Sequence, residues 1–136
     1  MSRPGSNSCY KFVITSTATW DEAQAKCNGM GAYGVSIDTL EEYIWMLGYR
    51  VYHPQLHRLM WTGGYRFLGE WLWQKSGGES FPMKIKEFAN GQPDNMHGNQ
   101  NCLQLISDQS PQGKFDDEFC DQKRNFVCEK SEVKLF

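Results

Sequence analysis

The sequence lacks a long apolar run and a strong excess of either charge. Its longest apolar stretches, such as residues 43–49, are far shorter than the roughly 18 residues that a membrane helix needs, so we expect no membrane insertion. The 14 basic and 16 acidic residues leave a formal net charge of -2. Such a balance gives no face that would gather nucleic acid or an anionic membrane by charge alone, so neither is expected as a partner.

The sequence also lacks any Cys-x-x-Cys pair, which argues against a zinc ribbon and a thioredoxin-type redox site. Five cysteines are nonetheless present, at positions 9, 27, 102, 120 and 128, and disulfides are the better interpretation. Disulfides imply an oxidising compartment, so we predict a secreted, extracellular protein. Residues 1–7 have no apolar segment of the kind found in signal peptides, which places any signal peptide outside this sequence.

A chain of 136 residues fits one domain with one main site. We expect a flexible segment or tag over residues 1–8, the domain over 9–130 and a tail over 131–136. The aromatic and β-branched residues 9–14 predict an early strand. Thr19 and Glu22 form the pattern of a capping box and predict a first helix, with Trp20, Ala23 and Cys27 at helical spacing.

A second capping-box pattern, Thr39 with Glu42, predicts a second helix that ends before Pro54. Its apolar stripe comprises Leu40, Tyr43, Ile44, Leu47 and Val51. After Met60 the pattern changes to short aromatic strands separated by glycine turns, and two helices followed by strands predict an α+β fold. Residues 75–101 predict a long connection without regular structure, and loops of such length are usually functional.

Oxygen-bearing side chains cluster in three segments of the second half of the chain. They are Gln92, Asp94, Gln100, Asp116 and Asp117. A calcium ion takes about six to eight hard oxygen ligands in flexible geometry, so this set predicts a calcium site. Each residue alone is as well explained by the ordinary polarity of loops, and it is the three segments together that favour the metal.

These segments resemble those of the C-type lectin-like domain over nearly the whole chain. Trp61-Thr62-Gly63-Gly64 is similar to the "WIGL" strand of that family, and residues 69–73 resemble its "GxWxW" segment. Gln92-Pro93-Asp94 has the "QPD" form of the family's calcium and sugar loop, and residues 115–117 stand where the family has "WND". In its small size the chain is similar to secreted lectins of invertebrates.

The resemblance implies two helices packed on antiparallel strands, a long loop region and two disulfides, Cys27 with Cys128 and Cys102 with Cys120. It also implies a non-enzymatic lectin that binds Ca2+ through the five residues above and acts in innate immunity or cell adhesion. The implied sugar contacts are Gln92, Asp94, Gln100, Asp116, Met96 and His97. The acidic residues of the family's auxiliary calcium site are absent, so we predict no second ion there.

The sugar type is predicted from the order of amides and carboxylates. The QPD triplet places the chain formally in the galactose type. In the galactose type of the family only the first amide–carboxylate pair is reversed relative to the mannose type. Here both pairs are reversed, Gln92 with Asp94 and Gln100 with Asp116, so the two pairs again have the same order, as they do in the mannose type. Terminal mannose or fucose is therefore expected to compete. The missing tryptophan after Asp94 favours the same outcome, because an aromatic ring would stack on galactose.

Cys9 is left over once the implied disulfides are assigned, and we predict a disulfide-linked homo- or heterodimer through it. The alternative is that its partner cysteine lies just upstream of this sequence. Among other functions, the strongest alternative is a domain of this fold that binds protein and no sugar. A zinc site at His53 and His57 is disfavoured by Pro54 and by the missing glutamate. Contact of a sulfated glycan with residues 84–86 and 123–124 ranks third.

Overall fold

The computed structural model describes residues 2–86, 88, 100–106 and 114–131. Its helices are α1 (Trp20–Gly29) and α2 (Leu40–Val51). Its strands are β1 (Ser8–Ala18), β2 (Tyr33–Gly34), β3 (Met60–Phe67), β4 (Glu70–Gln74), β5 (Ser80–Pro82), β6 (Cys102–Leu105), β7 (Phe115–Glu118) and β8 (Arg124–Ser131). Two helices on a mostly antiparallel sheet confirm the predicted α+β fold.

The strands form one sheet whose main path runs β1-β8-β3-β4-β5. Strand β2 pairs with β8, and β6 pairs with both β3 and β7. Strands β3 and β8 pair in parallel, with Met60 opposite Asn125, and Phe88 forms an isolated parallel bridge to Phe115 of β7. Because β6 lies between β3 and β7, the sheet brings together the "WIGL"-like strand and two of the three oxygen-rich segments.

Two strand predictions needed extension. β1 continues past the predicted end at residue 14 to Ala18. Its polar residues 15–17 are exposed and Ala18 is buried, so the strand continues beyond the point at which its apolar sequence pattern ends. The connection predicted over 75–101 contains β5, which pairs with β4 through Trp73 and Phe81. An aromatic residue between a serine and a proline was too short a signal for a strand.

Helix α1 has the predicted capping box. The Thr19 side chain accepts a hydrogen bond from the Glu22 backbone N–H, and the Glu22 side chain accepts one from the Thr19 backbone. Trp20, Ala23 and Cys27 are buried as their spacing implied. The Cys27–Cys128 disulfide then joins α1 to β8, with Cα atoms 5.5 Å apart.

Helix α2 begins where predicted but buries a different face. Thr39 caps it, whereas the Glu42 side chain accepts from the Asp38 backbone N–H and does not complete a capping box. The buried residues are Glu42, Tyr43, Met46 and Arg50, and the exposed ones include Leu40, Ile44 and Val51. The predicted apolar stripe was right for Tyr43, which is buried, and Leu47 packs against the core, but it was wrong for the three exposed residues, whose place is taken by two hydrogen-bonded charged side chains.

The paired glycines of the Trp61-Thr62-Gly63-Gly64 segment permit close approach between strands. A Cβ atom on Gly63 would lie 2.6 Å from the Gly34 carbonyl oxygen and 2.9 Å from that of Gln74. Both contacts are to backbone, which cannot move aside as a flexible side chain can. The absence of a side chain at this position therefore allows β2 to lie against β3, next to the buried indole of Trp61.

The core of the domain lies between α2 and the sheet. Its largest buried side chains include Trp73 and Phe115, the second of which is in β7 next to Asp116, whereas Trp61 belongs to a second buried cluster with Trp20 and Cys27 of α1. The Phe115 ring contacts Tyr43 of α2 edge-on, at 6.0 Å between centroids, so β7 is packed against that helix. In the part of the chain that the structure describes, no helix is long and apolar enough to cross a membrane.

Candidate functional site

Of the predicted site residues, Gln100, Asp116 and Asp117 lie within the described part of the chain. Gln92, Asp94, Met96 and His97 lie outside the described residues. Gln100 is two residues before Cys102, the first residue of β6, and both aspartates are in β7. Because β6 and β7 are antiparallel neighbours, the fold places both aspartates on the strand next to the one that Gln100 precedes.

The Cys102–Cys120 disulfide holds that pair of strands together at the end where Gln100 enters. Its Cα atoms are 5.2 Å apart, and Cys102 is opposite Glu118 in the ladder. The disulfide links the beginning of β6 to the turn that follows β7, so the two strands are joined covalently as well as by hydrogen bonds. Both disulfides that the family resemblance implied are therefore confirmed.

The two aspartates of β7 leave the strand on opposite sides. Side chains alternate along a strand, and Asp117 shares the buried side with Phe115, whereas Asp116 lies on the half-buried side. Asp117 is 1% exposed and is opposite Leu103. An ion that both carboxylates bind must consequently lie beside the strand, and not above one of its faces.

A hydrogen-bonded chain of side chains fixes Asp116. Gln104, directly opposite in β6, donates from Nε2 to Asp116 Oδ2 at 2.8 Å. The amide oxygen of Gln104 accepts from Arg124 Nε at 3.2 Å, and Arg124 also donates to Glu118 Oε2 at 3.2 Å. Gln104, which the sequence did not single out, thus orients a predicted metal ligand. The available signal was one glutamine between two leucines in a buried strand.

The chemistry of the described donors fits calcium better than zinc. Gln100, Asp116 and Asp117 offer amide and carboxylate oxygens, which are the hard ligands that calcium takes. His53 and His57, in contrast, each bond a backbone carbonyl oxygen at 2.7 Å, that of Tyr49 and that of Arg50 respectively. Within the described residues no group of three histidine, cysteine or acidic side chains could hold a metal ion, so a calcium cage also needs the donors of residues 92–94.

A second polar cluster, which the sequence did not reveal, is buried between α2, β1 and β8. The carboxyl groups of Glu42 and Glu129 are only 3% and 5% exposed. Tyr10 donates its hydroxyl to Glu42, and Glu129 accepts from Ser8 Oγ at 2.9 Å and from the Ser36 backbone N–H at 3.1 Å. The signal for this cluster was an acidic residue directly after the apolar run 126–128.

Burial raises the pKa of Glu129 from the ordinary value of 4.5 to about 8, and the neighbouring Glu42 carboxyl adds to this shift by charge repulsion and a shared hydrogen bond. The same burial and the charge of Glu129 raise the pKa of Tyr10, so its hydroxyl stays protonated and able to donate. The cluster therefore holds a proton near neutral pH. Its place between three elements gives it a role in stability.

Comparison with known proteins decides the family. The model of the lectin C-type domain matches residues 16–130. The chain belongs to this family. Membership confirms both the predicted lectin-type fold and the prediction of a binding domain that is not an enzyme.

Human asialoglycoprotein receptor 2 is 32% identical to this C-type lectin domain over 128 residues, which cover 90% of the chain and 37% of the receptor. The chain spans well under two thirds of the length of such relatives. The human scavenger receptor C-type lectin carbohydrate-recognition domain is 28% identical, with a TM-score of 0.76, and covers 96% of this chain and 95% of that one.

A calcium-independent type II antifreeze protein shares the fold at 22% identity and a TM-score of 0.73, covering 98% of this chain and 96% of that chain. At this identity the likeness concerns the fold alone and says nothing of calcium. Calcium use therefore has to be argued from the site residues.

Proposed function

We propose that this lectin domain, residues 9–130, binds glycans through a calcium ion. The ligands are Gln92, Asp94, Gln100, Asp116 and Asp117. The observation that carries the proposal is the placement of three oxygen donors on neighbouring segments: Asp116 and Asp117 are in β7, and Gln100 lies two residues before the adjacent strand β6, which a disulfide joins to the turn after β7. The described carboxylates are prearranged, since Asp116 is oriented by Gln104 and Asp117 is held in the buried side of its strand. Such preorganisation favours ion binding, because little order remains to be imposed.

Calcium, when bound, supplies the positive centre on which two neighbouring sugar hydroxyls sit. The protein residues around the ion determine which sugars can bind. A hydroxyl on the ion has one lone pair left, which accepts from an amide, and a proton, which it donates to a carboxylate. Gln92 with Asp94 and Gln100 with Asp116 offer these two functions. Binding of this kind breaks no covalent bond.

The proposed ligands are glycans with a terminal galactose-type sugar, by the QPD triplet, with mannose or fucose as competitors. Met96 and His97 are proposed to contact the sugar. The relatives named asialoglycoprotein receptor and C-type mannose receptor support a sugar ligand in general. A secreted, extracellular role in innate immunity or cell adhesion belongs to the same proposal.

The first test is the variant Asp117→Asn, which keeps the size of the side chain and removes its charge. Calorimetry should show one calcium ion per parent chain and at least about tenfold weaker calcium binding by the variant, because ligand charge largely sets calcium affinity. Asp121→Asn, at an exposed turn residue just after β7, is the matched control. A glycan array with and without EDTA should lose its signals in EDTA. Sugar binding that survives EDTA, or undiminished calcium uptake by Asp117→Asn, contradicts the proposal.

A second candidate function is protein binding without sugar. The observation that favours it is the exposed side of α2 and its C-terminal cap, where Leu40, Ile44, Val51 and Tyr52 are 52%, 58%, 47% and 83% exposed. Apolar groups gathered on one outer surface often mark an interaction site. An array that shows no sugar in the presence of calcium favours this alternative.

The disulfide-linked dimer through Cys9 stays a prediction. Cys9 belongs to neither disulfide of the domain and is half-buried in β1, at one end of the main sheet path, with its Sγ 3.3 Å from Ser2 Oγ. Two linked copies would present two sugar sites and gain avidity. Non-reducing electrophoresis of the native protein should show a dimer band that disappears on reduction and in Cys9→Ser. A monomer band before reduction counts against the dimer.

A further inference from the structure

Arg66 connects the β3–β4 hairpin to the segment that carries Gln100. Its Nη2 donates to the Gln100 backbone carbonyl at 3.0 Å and to Asn101 Oδ1 at 3.2 Å, and its Nε donates to the same Asn101 oxygen at 3.3 Å. Its backbone N–H donates to the Asn101 carbonyl at 2.7 Å. One residue thus bonds three different oxygen atoms of two consecutive residues.

The β3–β4 hairpin fixes the position of Arg66, so its contacts can fix the position of residues 100–101 in turn. Arg66 is opposite Trp71 in the β3–β4 ladder, and the centre of its guanidinium lies 5.2 Å from the Trp71 ring, which is itself 7% exposed. A guanidinium over an indole is attracted by the ring's electrons. The tight turn that closes the hairpin has positive φ at Leu68 (51°) and Gly69 (81°), as a two-residue type I′ turn requires.

The charge of Arg66 suits the oxygens that it meets. Asn101 is neutral, and the carbonyl dipoles of Gln100 and Asn101 present their negative ends to the same cation. The fixed positive charge of Arg66 attracts and orients these oxygens as a bound cation would, and it does so in the absence of a metal ion. The segment therefore enters β6 with its backbone already directed, immediately before Cys102 and the disulfide.

We propose that Arg66 is a positioning residue of the calcium site: it sets the Gln100 backbone so that the Gln100 side chain is in place when calcium binds. This inference rests on the proposed function and adds a residue that touches neither the ion nor the sugar. It predicts that calcium affinity depends on Arg66, while the unfolding of the calcium-free domain depends on it only weakly.

The experiment compares the parent with Arg66→Met, Arg66→Lys and the control Arg58→Met, whose exposed arginine bonds the Gln55 carbonyl within its own turn. Amide hydrogen exchange of residues 100–102 is measured in EDTA, and calcium binding is measured by calorimetry. Arg66→Met should exchange faster at these amides and bind calcium about tenfold more weakly, in the range found when partners that orient metal ligands are lost. Arg66→Lys keeps the charge but loses the planar guanidinium with its two donating nitrogens, so it should recover part of the affinity.

The outcomes separate this inference from the proposed function. Unchanged exchange in Arg66→Met overturns the positioning role, and faster exchange with unchanged calcium affinity overturns its link to the site. The inference is also overturned if Arg66→Met lowers the melting temperature in EDTA as much as a core substitution would. The loss of calcium affinity would then follow from a general loss of stability, and Arg66 would be a structural residue. A parent that binds no calcium overturns the proposed function, and the exchange data still show whether Arg66 orders the segment.

Discussion

The Arg50→Met variant should lose several kcal/mol of its unfolding free energy, at about 1 to 3 kcal/mol for each buried acceptor left without a donor, which is a large part of the stability of a small domain. Arg50 is fully buried, and its guanidinium donates to the backbone carbonyls of Leu56 (3.2 Å), Arg58 (2.6 Å) and Ile106 (3.2 Å). Methionine fills similar space but leaves these acceptors without their donor. Buried polar groups that lose a partner bear the full cost of desolvation.

Urea unfolding of parent and variant at neutral pH measures this loss. Arg58→Met is the matched control, because it makes the same chemical change at an exposed side chain and should stay within about 0.5 kcal/mol of the parent. Burial lowers the pKa of Arg50 from 12.5 to about 10, so only between these values does the unfolded chain keep a proton that the folded state releases, and at neutral pH the side chain is charged in both states. An Arg50→Met variant as stable as Arg58→Met would show that the three carbonyls find other donors.

The second large effect concerns Glu129 and pH. Its pKa of about 8 in the folded state lies above the ordinary 4.5, so between these values the folded protein retains a proton that the unfolded chain releases. The contribution of this group to stability is fully present below pH 4.5, declines as pH rises and is lost above about 8. Each pKa unit corresponds to about 1.4 kcal/mol, so the decline should amount to several kcal/mol.

Glu129→Gln should remove most of this pH dependence, because the amide carries no charge. Its oxygen can keep accepting from the Ser36 backbone N–H, and its NH2 group can donate to Ser8 Oγ. Above pH 8 the variant should be more stable than the parent. Urea unfolding from pH 5 to 9 tests this, with EDTA present so that no divalent cation neutralises the carboxyl pair. The groups that face Glu129 are Glu42 of α2, Tyr33 of β2, which is opposite it in the ladder, and, from β1 and the residues before it, Tyr10 and Arg3.

Glu118→Gln serves as the control for this experiment, since Glu118 is partly exposed and paired with Arg124 at 3.2 Å. Its profile should follow that of the parent between pH 5 and 8. A Glu129→Gln profile with the parent's slope would mean that the buried pair does not hold the extra proton.

Local signals in the sequence were reliable where the contacts themselves are local. The capping box of α1 joins residues three positions apart, and the structure contains it. The same signal misled at α2, because the Glu42 side chain turns to Asp38 and to the distant Tyr10. Helical periodicity could not predict the buried face of α2, since the burial of Arg50 depends on hydrogen bonds to backbone carbonyls of other segments.

The candidate site divides in the same way. Asp116 and Asp117 could be proposed as ligands from the sequence because the family motif lies in a continuous stretch. Gln104 and Arg66 could not, because their roles arise from strand register and from a hairpin 34 to 35 residues away from its acceptors. A lone glutamine in a strand and an arginine near a turn are common in proteins and carry no chemical signature of their own.

Strand β7 also has a consequence for how binding domains of this kind can diversify. Phe88 bridges to Phe115 of β7, and Cys102 pairs with Glu118 of the same strand, so the chain before residue 89 and the chain after residue 99 are both fastened to one short strand. The cost of closing a connection grows slowly with its length, by about 0.6 kcal/mol for each doubling. We therefore expect a change of sequence or length between residues 88 and 100 to cost the framework little stability, even where it removes the proposed ligands Gln92 and Asp94, so that new recognition could arise here by evolution or by library selection.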